Sequence, residues 1–223
     1  MNYILNIDTA VQTASVCLAV DGENIGLVTN PSQKDHAAWL HIAIKKLLDE
    51  KNVSLQQLNA IAVSMGPGSY TGLRVGMSTA KGLCYALHIP LITISTLQMM
   101  AVAALNEPTD FICPMIDARR MEVFTAVYDK QLAEVTAPFN CILDENSFQN
   151  LLQKNTITFF GNGSTKFQNL VQHPNAQFKN IEATAAQLSA LSYQYFTKQQ
   201  FADLAYSEPF YGKEFYTPSK INR

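Results

Sequence analysis

Long apolar runs are missing from this chain. Nowhere do about 18 apolar residues follow one another, so no segment reads as a membrane-spanning helix. The first residues run straight into Tyr3–Asp8 without the basic region and apolar stretch of a secretion signal, and the expectation is a cytoplasmic protein that binds no membrane. Charge is scarce: 15% of the 223 residues are charged, and the net charge is -2. Clusters of Lys and Arg are absent, which argues against a protein that grips nucleic acid by itself. Cys17, Cys84, Cys113 and Cys141 lie far apart and mostly in apolar segments, so neither a zinc site nor a disulfide framework is supported. His36 and His41 are five apart, a rotation of about 140° on a helix, which prevents a shared metal ion. The P-loop pattern, a G-x-G-x-x-G after a strand, G-x-S-x-G and H-E-x-x-H are all missing. What remains is a chain that is 48% hydrophobic, enough for one large domain or two small ones.

The most informative stretch is Ser64–Met65–Gly66–Pro67–Gly68–Ser69–Tyr70–Thr71–Gly72–Leu73–Arg74–Val75–Gly76. It follows the apolar run Ala60–Val63 and reads as strand, tight turn and helix. Gly66 and Gly68 permit positive φ, Pro67 fixes its own φ, and Ser69 or Thr71 can cap the new helix. A turn of this kind at a helix N-terminus can hold an anion, which makes Asp8, Gly66, Gly68, Ser69 and Thr71 candidate nucleotide or phosphate contacts. Within the helix, Gly72, Gly76 and Ala80 recur every four residues and form a ridge of almost no side-chain volume. Each glycine costs about 1 kcal/mol against alanine. The ridge therefore serves close packing, either on the protein's own sheet or against another subunit.

Along the chain, Tyr3–Ile7, Ser15–Val20 and Ile25–Val28 read as a three-stranded meander. His36–Glu50 has helical apolar spacing, Ile89–Ile94 is a strand, and a helix from Thr96 to Leu105 follows with Ser95 as its cap. The second half begins like the first. Ile112–Ala118 answers Ile4–Thr9, and Val123–Asp129 answers Ser15–Asp21; each pair is a strand ending in Ile–Asp, a turn and a returning strand. Phe148–Gln153 suggests a short helix, Ile157–Phe160 a strand, and Gly161–Ser164 a second glycine turn opening a helix. Ala183–Gln199 reads as a further helix, and the tail from Tyr206 as extended chain. The pattern is that of a duplicated α/β unit. Asp8 and Asp117, at equivalent strand ends, suit either a magnesium or nucleophile-polarising role or a turn-capping one. The turn after Asp8, Thr9–Thr13, has no glycine to admit phosphates. Arg119–Arg120 suits a phosphate, a partner's carboxylates or plain solvation.

Ile7–Asp8–Thr9–Ala10, His36 and the stretch from Gly66 to Gly76 with Ala80–Lys81–Gly82 together resemble the bacterial TsaB, or YeaZ, family; Ile116–Asp117–Ala118–Arg119, Glu122–Val123–Phe124 and Glu208–Pro209–Phe210–Tyr211 extend the likeness. The resemblance implies an α/β fold of two duplicated RNase-H-like halves of the actin/Hsp70/sugar-kinase (ASKHA) type, their mixed sheets flanked by helices. The halves are expected at 1–106 and 107–223, with the tail from about 201 packing back on the first. The resemblance further implies a non-catalytic subunit that pairs with the paralogous TsaD transferase. Its pathway makes threonylcarbamoyladenosine next to the anticodon of tRNAs reading A-starting codons. Other implied features are a TsaE-like ATPase partner, a homodimer when alone, tRNA contact only through the complex, no metal and no required cofactor, with ATP or ADP at the subunit boundary as an option. The docking surface it implies is His36, Trp39, Leu40, Gly72, Leu73, Val75, Gly76, Thr79 and Ala80, core packing being the competing role for Leu40. The competing function is a stand-alone peptidase or a nucleotide phosphatase using Asp8.

Overall fold

The computed structural model describes residues 1–32 and 36–212, with the side chain of His36 outside the description. Runs rich in apolar and β-branched residues build the strands β1 (Tyr3–Asp8) and β2 (Ala14–Val20), and β3 (Glu23–Asn30) joins them at the edge to form the expected antiparallel meander. The amphipathic helix α1 (His36–Glu50) then crosses to β4 (Leu58–Gly66), which runs parallel to β1; α2 (Tyr70–Leu87) crosses in turn to β5 (Leu91–Ser95), parallel to β4. The resulting sheet has the order β3-β2-β1-β4-β5.

After α3 (Thr96–Ala103) the same plan repeats with β6 (Phe111–Asp117), β7 (Glu122–Tyr128), β8 (Glu134–Ile142), α4 (Gln149–Leu152), β9 (Ile157–Phe160), α5 (Ser164–Gln168) and β10 (Ala176–Phe178). Read from its meander edge, the second sheet has the order β8-β7-β6-β9-β10, the first sheet's order over again. Duplicated RNase-H-like halves are therefore present in the topology itself. Strands β8 and β10, absent from the sequence reading, are the two edges of this sheet, where one-sided burial leaves little apolar signal.

Three apolar clusters hold the molecule together. Leu5, Ile7, Leu18, Leu40, Leu47, Ile61 and Met77 fill the space between the first sheet and α1–α2. Phe159, Phe167 and Leu152 do the same beneath α4–α5, where four phenylalanines meet edge to face or stacked. The largest cluster lies between the sheets and is built by both halves, from Ile4 and Ile92 on one side to Phe124 and Tyr128 on the other. Two helices line it: α3 and, after a 3₁₀ turn at Ala185–Gln187, α6 (Leu188–Thr197). One expectation is corrected here. The single helix over Ala183–Gln199 is a short 3₁₀ turn followed by α6. Although α6 follows the strands of the second sheet in sequence, it packs on the first sheet against β1 and β5. Sequence order does not say which sheet an apolar helix covers.

The α2 ridge owes its glycines to the turn that follows β1. A Cβ added at Gly72 would fall on the Thr9 carbonyl oxygen, and one at Gly76 would lie 2.5 Å from Thr9 Oγ1. Thr9 Oγ1 in turn donates to the Gly72 carbonyl at 2.6 Å. On the far side of the helix, Gly82 is exposed, and a Cβ there would have no neighbour within 4 Å. Gly82→Ala should therefore stabilise the protein by about 1 kcal/mol, the helix-propensity difference. Gly72→Ala should lower the thermal midpoint by several degrees or abolish folding, because backbone must move. Thermal unfolding of both variants checks the pair.

Candidate functional site: the glycine corner and its two aspartates

Strands β1 and β4 run parallel, which brings Asp8 at the end of one beside the glycine turn at the end of the other. Asp8 ends β1 on the face shared with Ile4 and Asn6, turned toward the inter-sheet cluster, and it is fully buried. Its Oδ1 accepts the Ala10 N–H at 3.0 Å and the Ser64 hydroxyl. Oδ2 is buried with no hydrogen-bond partner among the described residues, as is Asn6 Oδ1 two positions earlier. Burial pushes the Asp8 carboxyl up to about 6, even though Ser64 and the Ala10 N–H both favour the charged form. Asp117, its counterpart, is partly exposed. Its Oδ1 accepts the Arg119 N–H at 2.6 Å and Lys166 Nζ at 2.7 Å. Burial pulls that carboxyl up, but the Lys166 and Arg119 contacts outweigh it and hold it below the usual carboxylate range. Both aspartates thus close a turn onto the N–H two residues on. Lys166 is not among the residues read from sequence, and Ser64 opens the glycine stretch without being read there as a partner of Asp8. The alternation of Ala60, Ala62 and Ser64 along β4 could have placed Ser64 on the face of Asp8, whereas Lys166 left no such signal.

The glycine turn is packed shut by the protein's own chain. Gly66 has φ +117, as its position in the turn suggested, and its N–H donates to Thr96 Oγ1 at 3.1 Å; a side chain there would collide with the Phe210 carbonyl. Gly68 does not take positive φ. It is needed because a Cβ would strike the Ala10 carbonyl, which also accepts the Ser69 N–H at 2.8 Å. Ser69 caps α2 by accepting the Gly72 N–H at 3.3 Å. Of the five candidate phosphate contacts, only Ser69 and Thr71 are exposed. Asp8 and Gly66 are buried, and Gly68 is half-buried against the turn after β1. Asp8, Gly66 and Gly68 are thus covered by the protein's own chain, and Ser69 and Thr71 face solvent beside them.

A strap from the end of the chain completes the closure. Ala202 N–H donates to the Leu91 carbonyl at 2.8 Å, Lys81 Nζ donates to the carbonyls of Ala205 and Ser207 at 3.0 Å, and Phe210 N–H donates to the Met65 carbonyl at 2.7 Å. Tyr211 lies against Tyr70, ring centroids 4.9 Å apart and planes tilted by 40°, and accepts from Arg74 Nε at 3.0 Å, the guanidinium lying 4.3 Å from the Tyr70 centroid. Gly212 then meets Phe124 of the second half. The aromatic chain beyond it, 213–223, lies outside the described residues.

The docking residues read from sequence separate into two groups. Leu40, Gly72, Leu73, Gly76, Thr79 and Ala80 are buried inside this chain, where the tight ridge packs on the protein's own turn and core. Trp39 and Val75 are half-buried, and the His36 side chain lies outside the described residues. The outward crest of the same helices is Ile42 on α1 and Arg74, Ser78, Gly82 and Tyr85 on α2, with Ile42 69% and Tyr85 75% exposed. Between the helices lies a groove of about 390 Å³ with Ile44, Leu48 and Leu83 in its walls and Lys45 and Asp49 beside them.

Thiol chemistry finds little support. Burial pushes Cys17 up to about 11 and Cys84 and Cys113 up to about 12, far from a nucleophile's range. Among the described residues no three His, Cys, Asp or Glu gather as a metal site would require, and no helix is long and apolar enough to cross a membrane.

Comparison with known proteins places these features. Residues 16–210 match the family model of TsaD, tRNA N6-adenosine threonylcarbamoyltransferase. A tRNA threonylcarbamoyladenosine biosynthesis protein TsaB of Bacillus subtilis is 30% identical over 187 residues, 82% of this chain and 81% of the relative. TsaB of Escherichia coli is 35% identical over 128 residues, 57% of this chain and 55% of that protein. Among solved structures, a Pseudomonas aeruginosa protein described as similar to peptidase YEAZ superposes with a TM-score of 0.85 at 24% identity, covering 96% of this chain and all of that one, which shows a common fold.

The raised carboxyl of Asp8 has a measurable sign. Between pH about 4 and 6 the folded chain holds a proton that the unfolded chain has lost, so stability falls as pH rises through that window and levels off above it, a total of about 3 kcal/mol. Asp8→Asn, which can keep the Ala10 bond without the buried charge, should be at least as stable as the parent at pH 7 and should lack this decline. Urea unfolding across the pH range checks it.

Proposed function

Because the chain belongs to the TsaB (YeaZ) family, we propose that it is a non-catalytic subunit of the machinery that makes threonylcarbamoyladenosine in tRNA, pairing with a TsaD-like paralogue that carries out the transfer. The observation that carries this reading is the closed glycine corner. An aspartate with no exposure, bonded to Ser64 and Ala10 and roofed by the inter-sheet core, has no substrate to reach, and the turn beside it holds Phe210 and Ala10 where phosphates would lie. Such a corner suits a scaffold, and it disfavours the competing phosphatase, whose nucleophile or metal would need that carboxylate at a surface. A peptidase would need an activated nucleophile, and the buried thiols with raised pKa values disfavour a cysteine one.

In this proposal the paralogue docks on the outward crest of α1 and α2, where Ile42, Tyr85 and the half-buried Trp39 supply apolar anchors. Gly82 leaves room there for a partner's backbone to approach. The division into halves 1–106 and 107–223 keeps both helices in the first half. A second copy takes the same crest when the paralogue is missing, a TsaE-like ATPase joins the pair, and tRNA is met through the complex.

The crest can be tested without touching the core. Gly82→Trp fills open solvent and should leave the thermal midpoint unchanged or raised. It should weaken pairing with the purified paralogue by tenfold or more and depress tRNA modification by the reconstituted assembly to the same extent. A folded variant that pairs like the parent would remove α2 from the interface.

A further inference from the structure

The outward line of α2 runs through Arg74, Ser78, Gly82 and Tyr85, all exposed, and Arg74 is the charged residue on it. The lysines of α1 and α2 are engaged within this chain or stand beside an acid. Lys81 Nζ donates to the carbonyls of Ala205 and Ser207, Lys46 pairs with Glu50 at 3.7 Å, and Lys45 shares the groove wall with Asp49. Arg74 has no ion-pair partner among the described residues.

Its side chain is nevertheless held in place. Arg74 lies one helical turn after Tyr70, and its guanidinium carbon sits 4.3 Å from the Tyr70 ring centroid and 6.0 Å from that of Tyr211. Nε donates to the Tyr211 hydroxyl at 3.0 Å. With Nε engaged there, a carboxylate cannot pair side-on through Nε and one Nη. Nη1 and Nη2 make no hydrogen bond among the described residues, and together they form an end-on fork with the spacing of a carboxylate. An unrestrained arginine loses much of its rotamer freedom on binding; here folding has already taken that loss.

The surroundings select the anion. A nucleic-acid backbone offers a row of phosphates and calls for a row of cations, but the exposed line of α2 continues from Arg74 into Ser78, Gly82 and Tyr85. A single carboxylate flanked by apolar contacts fits better, because Tyr85, 75% exposed, follows about three turns further along the same line.

We propose that Arg74, positioned by Tyr70 and Tyr211, is a specificity contact of the crest and receives an aspartate or glutamate side chain of the TsaD-like paralogue end-on, through Nη1 and Nη2. The proposal rests on the paralogue docking on this crest. It also gives the strap a part in pairing, since Tyr211 orients the guanidinium.

The test measures the affinity of the full chain for the purified TsaD-like paralogue over a series of salt concentrations. Arg74→Gln, at an exposed position, should leave the thermal midpoint within about 2 °C of the parent's. It should weaken pairing about tenfold and flatten the salt dependence. Arg74→Lys, which keeps the charge and loses the fork, should retain the salt dependence yet pair more weakly than the parent. Tyr211→Phe should weaken pairing about threefold in the parent and not at all in Arg74→Gln, a non-additivity that a purely structural role would not produce. A folded Arg74→Gln that pairs like the parent overturns the proposal. So does a pair that forms normally but loses affinity for tRNA, which would assign the fork to a phosphate. Where Gly82→Trp breaks pairing and Arg74→Gln does not, the crest stands and the Arg74 contact falls. A parent chain that does not bind the paralogue sinks the subunit reading itself.

Discussion

The contact between the Thr9 carbonyl and the α-carbon of Gly72 sets the rest of the molecule. At that point the backbone of the first turn lies against the helix that follows the glycine turn, so closely that no side chain fits between them. Thr9 Oγ1 ties the same two segments by donating to the Gly72 carbonyl, and Ala10 fastens the turn by accepting the Ser69 N–H. Once α2 is drawn down in this way, Ser69 is placed to cap it, α1 can pack beside it on the sheet, and the outward side of the two helices becomes a continuous crest.

The same approach decides what the corner can do chemically. A nucleotide bound at this corner would need space between the first turn and the glycine turn. Here that space is filled by main chain: Ala10 against Gly68, Thr9 against Gly72, and the Phe210 strap against Gly66. Asp8 is left facing the inter-sheet core, with a buried carboxyl whose second oxygen finds no donor among the described residues. The second half keeps the same turn geometry at Asp117 but leaves it wet and paired with Lys166. One duplicated device therefore exists in two states, sealed and exposed, and in both it closes a turn.

Much of this was legible in the residues. Continuous apolar runs located β1, β2, β4 and β9, which are buried on both faces, period-3.6 spacing located α1, and the repeated Ile–Asp strand end foretold the duplication. The spacing of Gly72, Gly76 and Ala80 correctly announced a close approach but could not name the neighbour. A ridge of small residues looks the same whether it faces one's own turn or another subunit, and Thr9, more than sixty residues away, has no signature that points to it. For the same reason Leu40 allows both an anchor and a core reading from spacing alone, and the structure buries it in the core. Edge strands β8 and β10 escaped because only one side of them is covered. The strap over Gly66 and the left-handed pair Arg119–Arg120 depend on tertiary context that local propensity does not encode.

Calorimetric titration of the isolated chain with ADP and with ATP, in the presence of magnesium, bears most directly on the claim that its reactive corner is sealed. The account predicts no heat of binding beyond dilution, for the parent and for Asp8→Asn alike. Saturable binding by the parent that disappears in Asp8→Asn would contradict it, because the corner would then have to open and the aspartate would have to meet a ligand.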